Sequence, residues 1–72
     1  MVNVNKLKGK IVECGLNISE LAEKIGMDRS TLYRRLNSDG KYFTIEEADL
    51  ISKGLNLTCK EACTIFFAQY VA

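Results

Sequence analysis

The 72 residues, 47% apolar and 26% charged, suit one small globular domain that buries about 60% of its unfolded surface. That balance excludes a disordered chain; no apolar run approaches the ~18–20 residues of a membrane span, and the N-terminus lacks a signal-peptide pattern, so a cytoplasmic protein without a membrane role is expected. The net charge is only +1, yet residues 1–42 carry eight Lys/Arg against five acids, whereas residues 43–72 carry two against four, so the basic side lies in the first half.

Five short helices can be read in chain order, separated by glycine and polar cap residues. The first is expected from about Asn5 to Cys14, with Leu7, Ile11 and Cys14 on one face, lysines on the other and Gly15 as its stop. Asn17 with Glu20 has capping-box spacing and opens a second helix through ISELAEKI, burying Leu21, Ala22 and Ile25 and ending at Gly26. Asp28 caps a third, RSTLYRRLN, in which Leu32 and Leu36 form the apolar i, i+4 pair. NSDGK then breaks the pattern with turn chemistry.

Thr44 with Glu47 opens the fourth helix as another capping box, with Ile45, Ala48, Ile51 and Leu55 as its inner stripe and Gly54 weakening its last turn. Thr58 with Glu61 opens the fifth, CKEACTIFFA. No segment alternates with period two, and the AQYVA end fits either a helical extension or a short extended tail. The expected fold is all-α, a single domain over residues 1–72.

Catalysis has little to stand on. The chain has no histidine, no Gly-rich phosphate loop and no serine beside a base in a recognisable motif, so an enzyme is not expected. Cys14, Cys59 and Cys63 are too few for a four-cysteine zinc site and cannot all pair within one chain. They read as small buried hydrophobes in a reducing compartment. Neither a metal nor a cofactor is implied.

The informative unit is residues 17–37. Two short helices are joined by GMD, and the glycine tolerates the positive φ of a sharp turn. Such a turn sets helices at roughly 90–120°. A second helix held at that angle can enter a DNA major groove about 12 Å wide while the first lies across the backbone.

LAEKIGMDRSTLYRRLN resembles the helix-turn-helix of the phage repressor and Cro class, in Leu21, Ala22, the Gly26 turn, Ser30, Leu32 and Asn37. The likeness continues through FTIEEADLISKGLNLTCKEACTIFF, which is similar to the fourth and fifth helices of that fold, and so covers nearly the whole chain. It implies a compact five-helix domain of the lambda-repressor-like type, similar to small regulators of Gram-positive phages and prophages. It also implies that the third helix reads bases from its first positions and again one turn later, which here are Arg29, Ser30, Tyr33 and Arg34. Arg29 and Arg34 each offer a fork to guanine O6 and N7. Thr31, Arg35, Asn37 and Lys41 are expected at the DNA backbone or in support, with the lysines of the first helix adding sequence-independent attraction.

Two positions depart from the family pattern. Ile18 stands where glutamine commonly starts the second helix, so the backbone N–H groups there serve instead or the contact is missing. Arg35 stands where an apolar residue is usual, which leaves it to reach phosphate. Each residue also has a plainer reading: Arg34 and Arg35 paired with Glu20 or Glu23, Tyr33 as an edge of the core, Asn37 as a helix terminator. Phe66 and Phe67 are adjacent, so one helix cannot turn both into one core. One of them, with Tyr70 and Val71, is expected in an exposed apolar surface suited to a dimer or another partner.

The expectation is therefore a sequence-specific double-stranded DNA-binding regulator, repressor or Cro-like, acting on an operator as a homodimer without a cofactor. The alternative is a protein-interaction module that binds and modulates a repressor, as an antirepressor does; the weak net charge and Ile18 favour it, and the arginines of the third helix count against it.

Overall fold

A computed structural model describes residues 2–67. Its elements are α1 (Val4–Glu13), α2 (Ile18–Ile25), α3 (Arg29–Asn37), α4 (Ile45–Gly54) and α5 (Cys59–Phe66), with no strand among the described residues. The domain is all-α, as expected.

Every helix start is fixed by a side chain that accepts one of the backbone N–H groups left orphaned there. Asn3 accepts from the Lys6 N–H, so α1 begins a residue earlier than its apolar spacing indicates. Asn17–Glu20, Thr44–Glu47 and Thr58–Glu61 form reciprocal capping boxes, and Asp28 accepts the Ser30 N–H at 2.7 Å. The stops of α1, α2 and α4 share one geometry. A residue at positive φ (Gly15, Gly26, Asn56) is followed by an apolar one (Leu16, Met27, Leu57) whose N–H reaches five residues back to Ile11, Ala22 and Ser52. This is the Schellman arrangement. At Gly26, with φ 72°, it supplies the sharp turn between α2 and α3.

Leu7 and Ile11 of α1, Leu21 and Ala22 of α2, Leu32 and Leu36 of α3, Ile51 of α4, Leu55 after it, and Ile65 and Phe66 of α5 form one buried cluster. The Phe66 ring meets Phe43 edge-on at 5.9 Å between centroids, a favoured aromatic geometry. The Asn3 N–H donates to the Ile65 carbonyl at 2.7 Å and closes the N-terminus onto α5.

Three expectations need correction. Ile45 does not join the inner stripe of α4: it is 80% exposed, because the first position of that helix lies beyond the edge of the core. The cysteines are not buried hydrophobes. Cys14 and Cys59 are exposed and Cys63 is half-buried, with Cys14 Sγ donating to the Leu55 carbonyl at 3.7 Å. Gly54 is less a weak point than a spacer. A Cβ there would collide with the Ile25 side chain, so its smallness lets α4 approach α2 closely.

Candidate nucleic-acid interface

α3 packs chiefly against α2, and α4 packs against α2 in turn. Leu32 and Leu36 turn one side of α3 into the core. At about 100° per residue, Arg29, Ser30, Tyr33, Arg34 and Asn37 span an arc of about 140° on another side, and all five are exposed. The structure thus brings together the four residues expected to read bases. Between its ends α3 contains three arginines and no acid.

The arginines differ in what holds them. Arg29 has no ion pair or side-chain hydrogen bond among the described residues. Arg34 has only a 3.3 Å hydrogen bond from Nη2 to Thr31 Oγ1, one turn back on the same helix. Neither pairs with Glu20 or Glu23, so both keep their charge turned to solvent.

Arg35 is different. It points away from the exposed arc, and its Nε and Nη2 donate to Glu47 Oε1 and Oε2 at 3.0 and 3.2 Å. The partner expected on α2 is replaced by one on α4, and the guanidinium is not left loose to reach phosphate. The pair is largely shielded, with side-chain exposures of 25% for Arg35 and 16% for Glu47. Partial burial works to raise the Glu47 pKa, but the Arg35 fork and the Thr44 N–H outweigh it and hold the carboxyl below its ordinary value. The Arg35 pKa is raised by the same hydrogen bond.

Tyr33 serves two surroundings. Its residue is 41% exposed, and its ring also borders an apolar groove of about 330 Å³ formed with Ile11, Val12, Leu16 and Ile18. Thr31 is half-buried, while Asn37 and Lys41 are exposed near the far end of α3. The start of α2 is poorly suited to an anion. The Glu20 N–H is already taken by Asn17, and the Glu20 carboxylate folds back over the same helix end onto the Asn17 N–H at 2.9 Å. A phosphate arriving there meets a negative charge. Lys10 of α1 is also engaged, by Glu61 of α5 and by Glu13, which leaves Lys6 and Lys8 as the exposed lysines of that helix.

At the C-terminal side, Phe66 is a core residue at 6% exposure, and Phe67 is 45% exposed. The dimer surface expected at Phe66 and Phe67 therefore reduces to Phe67 at these two positions, whereas Tyr70 and Val71 lie outside the described residues. Ile45 joins it: Val2, Phe43, Ile45 and Phe67 line one shallow apolar depression. Sequence reading missed Ile45 because its helical spacing fits the inner stripe. It also missed Glu47 as the partner of Arg35, since the Thr44–Glu47 spacing already accounts for that carboxylate as a cap.

The fold and this exposed basic helix define a helix-turn-helix domain. Residues 7–61 match the family model described as helix-turn-helix, and the chain belongs to that family, a family of DNA-binding transcription regulators of the Cro/C1 type. Neither the curated proteins nor the solved structures yield a match to it. No helix of the described residues is long and apolar enough to cross a membrane.

Proposed function

We infer that the protein is a sequence-specific double-stranded DNA-binding repressor, Cro-like in its action and of phage or prophage type. It inserts α3 into the major groove and acts by occupying an operator. The observation that carries this is the exposed arc of Arg29, Ser30, Tyr33 and Arg34, with neither Arg29 nor Arg34 held by an acid among the described residues. Two guanidinium forks on one helix side match the paired acceptors of guanine, each worth about 1–3 kcal/mol of discrimination. Asn37 and Lys41 lie where they can add phosphate contacts that fix register without carrying sequence information.

One α3 reads only a few base pairs, so a two-fold dimer extends the site by placing a second α3 one turn of DNA away, about 34 Å. The apolar surface of Val2, Phe43, Ile45 and Phe67 supports that assembly. The apolar groove beside Tyr33, with Val12 73% exposed at its edge, favours the second reading, a module that binds a repressor protein.

Selection of bound sites from random duplex DNA, repeated at two salt concentrations, tests the first reading. A short two-fold-related motif, with affinity falling steeply as salt rises, is the expected result. Enrichment of no motif, together with co-elution of the protein with a repressor in size exclusion, transfers the function to the second reading.

A further inference from the structure

The base-reading arc of α3 has to hold its angle to within about 0.5 Å and 10–20° if bidentate contacts are to form. A helix with its side chains is about 10–12 Å across, so a rotation of about 10° about its own axis moves the outer surface by roughly 1 Å. Leu32 and Leu36 anchor one side of α3 through apolar contact, which lacks the directionality of a hydrogen-bonded fork. The connection from α3 to α4 is held at Gly40, buried against Val2, and at Phe43, packed on Phe66, with Asp39, Lys41 and Tyr42 exposed; this packing acts past the C-terminal end of α3 and not along its turns.

Across that connection lies the Arg35–Glu47 fork. Its two guanidinium bonds reach both carboxylate oxygens as a directional fork. Glu47 is itself fixed. Its Oε1 also accepts the Thr44 N–H at 3.0 Å, and its own N–H donates to Thr44 Oγ1 at 3.0 Å, so the carboxylate is locked to the first turn of α4. Among the described residues it is the ion pair that joins α3 to another helix. It reaches α3 on a side turned away from Arg29, Ser30, Tyr33 and Arg34.

We propose that Arg35 and Glu47 are positioning residues that set the axial rotation of the recognition helix against α4, and thereby the specificity of DNA reading, without touching DNA. This rests on the DNA-binding reading above. It separates two roles for Arg35 that a simple loss of binding would confuse. If Arg35 positions α3, Glu47 helps reading. If Arg35 binds phosphate, Glu47 competes for it and its removal strengthens binding.

Glu47→Gln is the discriminating change, because glutamine can still complete a capping box with Thr44 while losing the charge and the second acceptor oxygen. The wild type, Glu47→Gln, Arg35→Ala and Arg35→Lys are titrated with a selected duplex and a random duplex across a salt series. The free proteins are compared through residual dipolar couplings of the α3 amides. Thermal melts of each variant report the folded fraction.

The expected result is roughly tenfold weaker binding of the selected duplex by Glu47→Gln and Arg35→Ala, with random-duplex affinity and salt slope unchanged. Arg35→Lys keeps the charge but not the fork and falls with the losses. The α3 couplings shift relative to those of α2 in the free variants. Tighter binding by Glu47→Gln, or a salt slope reduced by about 0.9 in Arg35→Ala as one phosphate contact is lost, overturns the proposal. So do unchanged couplings in folded Glu47→Gln. Should the wild type prefer no duplex over another, the DNA-binding reading fails, and the couplings alone decide whether the pair positions α3.

Discussion

Arg34 and Arg35 are neighbours in sequence, and the helix separates them by about 100°. That rotation decides their fates. Arg34 stays on the exposed arc with only Thr31 near its guanidinium, while Arg35 meets a carboxylate held by a helix cap. Arg34→Ala is therefore expected to lose about 1–3 kcal/mol on the selected site and to relax preference at one base step, leaving the other positions discriminated. Titration of the variant against duplexes bearing single base changes measures this. An equal loss on every duplex would instead make Arg34 a phosphate contact. The placement of Arg29 and Arg34 was legible from sequence, because helical spacing from the Asp28 cap suffices to put them on one exposed side. The partner of Arg35 was not. Residues 35 and 47 are brought together by the turn between two helices, and local periodicity carries no information about such a pairing.

Helix boundaries were the most legible feature of the chain, since capping is local: the polar residue and its backbone donor lie within three positions of each other. What local pattern cannot supply is where the core ends. Ile45 fits the inner stripe of α4 by spacing and still stands in solvent, and Gly54, which reads as a weak turn, packs so tightly on Ile25 of α2 that no side chain fits there. The fifth helix shows a cap doing a second task. Glu61 completes the Thr58 box and also pairs with Lys10 of α1, tying the two terminal helices together.

The Lys10 hydrogen bond, reinforced by the Thr58 N–H, holds the Glu61 carboxyl down at about 2, against an ordinary value of 4.5. A carboxylate whose pKa is depressed in the folded state stabilises that state above its unfolded pKa. The contribution is lost as pH falls through the folded value. Wild-type stability should thus decline between about pH 4.5 and pH 2. Glu61→Gln, whose amide oxygen can still serve the cap, should be less stable at neutral pH and show a flatter decline over that window. Denaturant midpoints across the pH range give the comparison, and parallel curves for the two proteins would contradict the assignment.

At the scale of the whole molecule, the near-neutral charge of +1 concealed a division of labour. Several of the basic groups are used internally: Lys10 by Glu61, Lys53 by Asp49, and Arg35 by Glu47. Arg29 and Arg34 remain turned outward on the α3 arc, so the charge that matters for a polyanion is concentrated rather than abundant. The basic first half was readable in the sequence, but this sorting of its members required the tertiary contacts. The core of Leu7, Leu21, Leu32, Ile51 and Ile65 holds the five short helices around a single centre, and the Gly26 turn leaves the arc of α3 outside it. The most direct test of that arrangement is a backbone amide titration of the isotopically labelled protein with its selected duplex. Perturbations are expected to concentrate on Arg29, Ser30, Tyr33, Arg34 and Asn37, with smaller changes at Lys41. Perturbations centred instead on Val12, Leu16 and Ile18, or spread evenly over the lysines of α1, would contradict the claim that α3 is the reading helix.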